Sequence, residues 1–344
     1  MKRLISFIAA LFLIVPLFAD RYEISTANTT LLLETGTGRR VNFVYYGPRV
    51  NSIDEIYNTN SNIGWNAYPC FGTNCTCEHA LAVTHADGDV SLELATQEVL
   101  QYIDPDGGKV WEFRMKDKVY PFYVKHFYKA YHDCDVIKTW TEISHTEKKH
   151  VSLDKYASAY IPVKSGDLYL SYLAGGWGAE AQLFEERITR GRKTIGNLDG
   201  DRTSFNGNPS FMVSLDGPAK ENAGNVLGGT LAYTGNYDIS FVKNGNANHL
   251  EITAGINHEL SQYKLDPKKA FTTPDFIFTY STEGKGGVSR NLHRWGRKYQ
   301  IIGGTDTRDI LLNSWEGVYF KVNQEGMNKM MQDFASIGGE LFVM

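Results

Sequence analysis

Residues 310–344 read ILLNSWEGVYFKVNQEGMNKMMQDFASIGGELFVM. The run ILLNSWEGVYF, 310–320, has the apolar character of a buried strand. The next segment, NQEGMNKMMQDFASIGG, sets Met327, Met330, Met331 and Phe334 three and four residues apart, on one helical face. Gly338 or Gly339 supplies the helix stop, and ELFVM is a second apolar run. Strand, helix and strand in this order predict a parallel pair with a helical crossover, the opening of an α/β fold. A (β/α) barrel closes only with eight strands, and two strands leave open edges. The expectation is therefore the first βαβ unit of a second domain, residues 309–344, whose remainder lies beyond Met344.

Upstream the character differs. TLLLE, VNFVYY, VSLELA, KVWEFRM, YPFYVKHFYKAY, VIKTWTEI, YASAYIPV, DLYLSYLA, GGTLAYTG, YDISFV, HLEITAGI and DFIFTYS read as strands. Between them DPDGG, HADGD, NLDGD and LDGP favour turns. So long a run of strands with no helical interval predicts a large antiparallel β-sandwich over 20–285. No strict internal repeat is visible, which argues against a propeller. VSRNLHRWGRKY then places Val288, Leu292, Trp295 and Tyr299 on one helical stripe, a linker helix within 286–308.

The chain begins MKR, followed by LISFIAALFLIVPLF and Ala19, the pattern of a secretory signal peptide over 1–19. Pro16 interrupts that run and it is short for a span; no other segment could cross a membrane, so an exported mature chain is expected. The 344 residues carry a net charge of -4, which gives no basic surface for nucleic acid. Aromatic residues make up 13% of the chain, with 20 Tyr and 6 Trp, which suits pleated strands and also surfaces that stack on sugars. In an oxidising compartment Cys70, Cys75, Cys77 and Cys134 permit one or two disulfides. Their pairing is left open; His79 alone does not complete a zinc ligand set, and no metal is expected. Asn28 and Asn74 lie in sequons.

No complete catalytic set is visible. Asp104/Asp106 and Asp199/Asp201 are close pairs, but each sits in a Gly-rich turn that favours Asp for backbone reasons. Asp54/Glu55 and Glu185/Glu186 read as solvated carboxylates. Trp315 and Glu316 stand out by position, at the end of the first presumed barrel strand, where barrel active sites form. Trp315 there could wall a sugar's C–H face, or it could be a core residue.

With NSWE and GGELFVM as its most specific pieces, the 310–344 stretch resembles the entry into the catalytic barrel of glycoside hydrolase family 36, the α-galactosidases. Upstream, VYYG, AYPCFGT, GGWGAEAQLFEERITRGRKTIGN, DRTSFNGNPSFMVSL, GGTLAYTGNYDISFV and the stretch from EITAGINHEL to HRWGRKY resemble that family's N-terminal β-supersandwich and linker helix, in order. The resemblance implies a retaining hydrolase of terminal α-galactosides, such as raffinose or melibiose, working without metal or organic cofactor and as a homo-oligomer. It implies that Trp315 lines the galactose pocket, and that the nucleophile and the acid/base both lie beyond Met344, leaving this chain inactive alone. Where the family carries a GDxREPA-like stretch, this chain reads NCTCEHA, so Cys75 and Cys77 stand in place of Asp and Arg. The alternatives are a non-catalytic secreted carbohydrate-binding sandwich and a related α-N-acetylgalactosaminidase.

Overall fold

The structure is a computed structural model; it describes residues 20–59, 64–73, 76–164, 166–200, 202–204, 206–244, 249–259 and 261–344. The expected signal peptide, 1–19, lies outside the described residues, as do Asn74, Cys75 and Asp201. The chain divides into two units, 1–295 and 296–344.

The first unit is the expected antiparallel sandwich. A ten-stranded sheet runs from Gln182–Arg187 at one edge to Leu94–Ile103 at the other, and a six-stranded sheet centres on Val151–Lys164 and His249–Ile256. A four-stranded sheet made by residues 21–66 covers part of the larger one. Val136–His145 shows why these segments are strands, because its buried positions alternate along most of its length. Rings fill the space between the layers. Phe211 of the larger sheet meets Phe241 of the smaller edge to face, centroids 4.9 Å apart. Tyr22 and Tyr46 of the small N-terminal sheet meet Phe113 and Phe278 at 5.1 and 5.0 Å. Each fully buried phenylalanine among them stabilises by about 1.5–3 kcal/mol through area alone, while Tyr22 and Tyr46 are only partly buried.

The N-terminal sheet is also pinned by polar contacts. Asp135, at φ 54°, turns its carboxylate onto Thr26 Oγ1, Asn28 N and Asn28 Nδ2, at 2.8, 2.7 and 2.7 Å. The side-chain amide of the Asn28 sequon is thus engaged by the fold, although the residue itself is exposed.

Two sequence expectations need correction here. VSLELA is not a strand until Leu94, because the preceding residues serve other partners. Ser91 N donates to Asp89 Oδ1 at 2.6 Å, Leu92 N to Phe71 O at 3.0 Å and Glu93 N to Asp117 Oδ2 at 2.7 Å. The linker helix expected within 286–308 spans Gly284–Trp295, in the first unit, and continues as a π-helical turn over Gly296–Gln300. Its buried stripe is Val288, Asn291 and Trp295, with Leu292 and Tyr299 only partly covered. Asn291 enters the core because its amide donates to Thr279 Oγ1 at 2.9 Å. Gly228 and Gly287 let helix and sheet approach; a methyl on Gly228 would meet Val288 Cγ1.

In the second unit Leu311–Asn313 pairs in parallel with Leu341–Val343, and Gln324–Ser336 is the crossover helix. The helix ends as expected: Gly338 adopts φ 92° and Gly339 N donates to Phe334 O. The run 310–320 is not a buried strand throughout. It leaves the extended conformation at Ser314, and both outer residues of the short strand are exposed.

Candidate functional site

The candidate residue Trp315 sits where the first parallel strand ends. Asn313 Oδ1 accepts from Trp315 N at 2.9 Å, a local turn that competes with further extension. Ser314 N donates to Val343 O at 2.8 Å, which carries the pairing one residue further and holds the turn against the second strand. A four-residue helix follows, Trp315–Val318, and Tyr319 closes it at φ 48° with its N–H on Trp315 O at 2.6 Å. The Trp315 indole meets Tyr319 and Phe320 edge to face, at 5.6 and 4.9 Å. All three rings are exposed, Phe320 at 88% and Trp315 at 46%. Glu316 is exposed beside them.

An apolar wall of three rings therefore stands at the C-terminal end of a parallel pair. Such rings can cover the C–H face of a ligand. Tyr319 and Phe320 were not singled out from sequence, although the spacing of three aromatics within six residues was visible. The chain places both after a turn rather than along the strand.

The acidic candidates separate. Asp104 and Asp106 hold the buried Lys129, each at 2.6 Å. Glu185 pairs with Lys285 and accepts from Ser171 Oγ, while Glu186 pairs with Lys193 at 2.7 Å. Asp54 and Glu55 begin a helix, and Asp54 faces Arg21 at 3.6 Å. Asp199 lines a cleft.

Cys77 is disulfide-bonded, whereas Cys70 and Cys134 are buried and lie outside any disulfide. Burial pushes the Cys70 thiol far up, so it stays protonated. Next to Cys77, Glu78 accepts from Arg192 at 2.5 Å and Lys155 at 3.2 Å, and its N–H donates to the fully buried Glu251. Burial alone would push the Glu78 carboxyl up, but the two cations hold it below its ordinary value. Glu251 is pushed up, chiefly by its burial. Among the described residues no group of three or more His, Cys, Asp or Glu side chains could hold a metal.

Residues 39–266 match the glycosyl hydrolase family 36 N-terminal domain, and residues 270–344 match melibiase. The chain belongs to glycosyl hydrolase family 36. The curated relatives it matches include α-galactosidases of fungi and bacteria. The chain is 31% identical over 219 residues to α-galactosidase C of Emericella nidulans, covering 63% of this chain and 29% of that one. It is 28% identical over 238 residues to α-galactosidase Mel36A of Lactobacillus acidophilus, covering 67% and 31%. The family 36 fold is shared with α-galactosidase AgaA of Geobacillus stearothermophilus, solved in complex with raffinose. That match has a TM-score of 0.87 at 20% identity and covers 94% of this chain and 50% of that one. The chain thus spans about a third of these curated relatives and half of the solved enzyme. No helix among the described residues is long and apolar enough to cross a membrane.

Proposed function

We propose that this chain is the sandwich and first barrel strands of an exported α-galactosidase that releases terminal galactose from α-galactoside oligosaccharides. The observation that carries the reading is Trp315, exposed between Tyr319 and Phe320 where two parallel strands end, in a family 36 chain. Barrel enzymes assemble their sites at that end of the strands. Trp315 covers the apolar face of the galactose and orients it; it carries no proton.

The nucleophile and the acid/base are supplied by residues outside this chain. In a retaining enzyme one carboxylate attacks the anomeric carbon while the other protonates the leaving oxygen, about 5 Å away. The carboxylates described above support this division of labour, since most of them are engaged by lysines and arginines within the sandwich. The whole enzyme works as a homo-oligomer, and residues 1–19 are removed on export.

An aryl α-galactoside assay tests the reading. The 344-residue chain should give no turnover, and the same chain extended through a complete barrel should give it. Turnover by the chain alone would overturn the assignment. Mass spectrometry of secreted protein should find Asp20 at the N-terminus.

A further inference from the structure

The sandwich holds a cleft of about 370 Å³ lined by polar side chains, among them Asn197, Asp199, Asn206, Asp238, Asn257 and Glu259. That volume lies in the range of small-molecule sites, about 300–1,000 Å³. Its wall is fixed by internal hydrogen bonds. Asn197 Nδ2 donates to Arg202 O at 2.6 Å and its Oδ1 accepts from Asp199 N at 2.5 Å. Asn206 Nδ2 donates to Asp199 Oδ2, and Asn257 Oδ1 accepts from Glu259 N at 2.8 Å. Polar groups held in place before a ligand arrives lose little entropy on binding.

A second observation comes from a different part of the chain. Gly176–Ala179 forms a tight turn, with Ala179 N on Gly176 O at 2.9 Å and Gly178 at φ 73°. Trp177 stands on that turn, 88% exposed. Gly175 N donates to Asn206 O at 3.0 Å, so the turn is tied to the cleft's own rim. An indole is thus kept in water on a turn that is tied, through Gly175, to the Asn206 backbone of the cleft rim.

That pairing selects a chemistry. A sugar ring has an apolar C–H face and a rim of vicinal hydroxyls. An indole covers the first; carboxylates accept from hydroxyls, and amides both donate and accept. Among the described residues no Lys or Arg lines the cleft, which disfavours phosphorylated or acidic ligands. We infer that this cleft, with Trp177, is a binding subsite for a neutral oligosaccharide on the sandwich. Trp177 stacks on one sugar ring while Asp199, Asn206 and Glu259 take its hydroxyls. The inference does not rest on the proposed enzymatic reading.

Raffinose titrated calorimetrically into the 344-residue chain tests it. The wild-type chain should bind, with Kd on the order of 1 mM. Trp177→Ala and Asn206→Ala should each bind at least about tenfold more weakly, and Trp177→Phe should recover part of the loss. Circular dichroism should show Trp177→Ala folded, since the side chain is nearly bare. Absence of saturable binding in the wild type, or unchanged affinity in Trp177→Ala, would overturn the inference. So would a loss confined to Trp315→Ala, which would place the sugar at the barrel strands instead. Calcium binding that displaces raffinose, or self-association without sugar that Trp177→Ala abolishes in sedimentation, would each assign the surface to another occupant.

Discussion

Lys129 Nζ lies 2.6 Å from Asp106 Oδ2, and Asp104 Oδ2 is equally close on the other side. The lysine side chain is 3% exposed, and the two carboxylates reach it from the hairpin turn of residues 104–108. Burial opposes charge on Asp106, yet hydrogen bonds from Lys129 and Gly108 hold its carboxyl below the ordinary value. A close pair of carboxylates that the sequence explains as turn residues is also the counter-charge of a buried ammonium.

Removing both carboxylates should therefore cost more than removing the lysine. Asp104→Asn with Asp106→Asn leaves an uncompensated buried cation and should destabilise by about 3–5 kcal/mol. Lys129→Met leaves two carboxylates that can turn to water and should cost less. Urea unfolding of the three proteins checks the order, and the reverse order would contradict the buried-charge account.

The stability of the sandwich should fall with pH well before ordinary carboxylates titrate. His126 is 1% exposed, its Nδ1 is 2.9 Å from Thr141 Oγ1, and its ring faces Tyr68 and Tyr128. Burial drives its pKa from 6.5 down to about 3. Below pH 6.5 the unfolded chain therefore takes a proton that the folded chain refuses, and stability is lost as pH falls from there toward 3. The loss is on the order of a few kcal/mol. His79, His249 and His258 are lowered too, each first by burial, and add to the same slope. Urea midpoints at several pH values should show His126→Gln less stable near neutrality with a shallower acid slope.

Gly228→Ala should loosen the helix Gly284–Trp295 from the sheet. The new methyl meets Val288 Cγ1, on a β-branched side chain with few rotamers to escape into. A cost of about 1–3 kcal/mol is expected from overpacking. Adding Val288→Ala should recover part of it, a non-additivity that thermal melts of the two single variants and the double variant would reveal.

Trp315→Ala should leave the sandwich's melting temperature unchanged, because the residue lies in the other unit and is half exposed. In an enzyme extended through a complete barrel it should lower kcat/KM by about 10-fold or more, around 1.4 kcal/mol of transition-state binding. Unchanged kinetics would remove Trp315 from the sugar pocket.

The strands were legible because burial on one face of a pleat writes a period of two into a short window, as along Val136–His145. The crossover unit was legible for the same local reason, from the helical spacing of Met327, Met330 and Phe334 and the stop at Gly338. Asn291 was not, since a polar residue on a buried stripe makes sense only once Thr279 is opposite it. The cleft was not legible either. Trp177, Asn206 and Asn257 lie on separate stretches, and each alone reads as an ordinary turn or loop residue.

From its residues alone the chain determined a long antiparallel region, a βαβ opening after it, and a family resemblance strong enough to place Trp315 at a strand end. Local periodicity and turn chemistry suffice for that. Only the tertiary structure decided which carboxylates neutralise buried cations and which face a cleft. Charges and hydrogen-bond partners meet across the sheets, between residues as far apart as Asn28 and Asp135, and no local window of sequence records which distant group stands opposite.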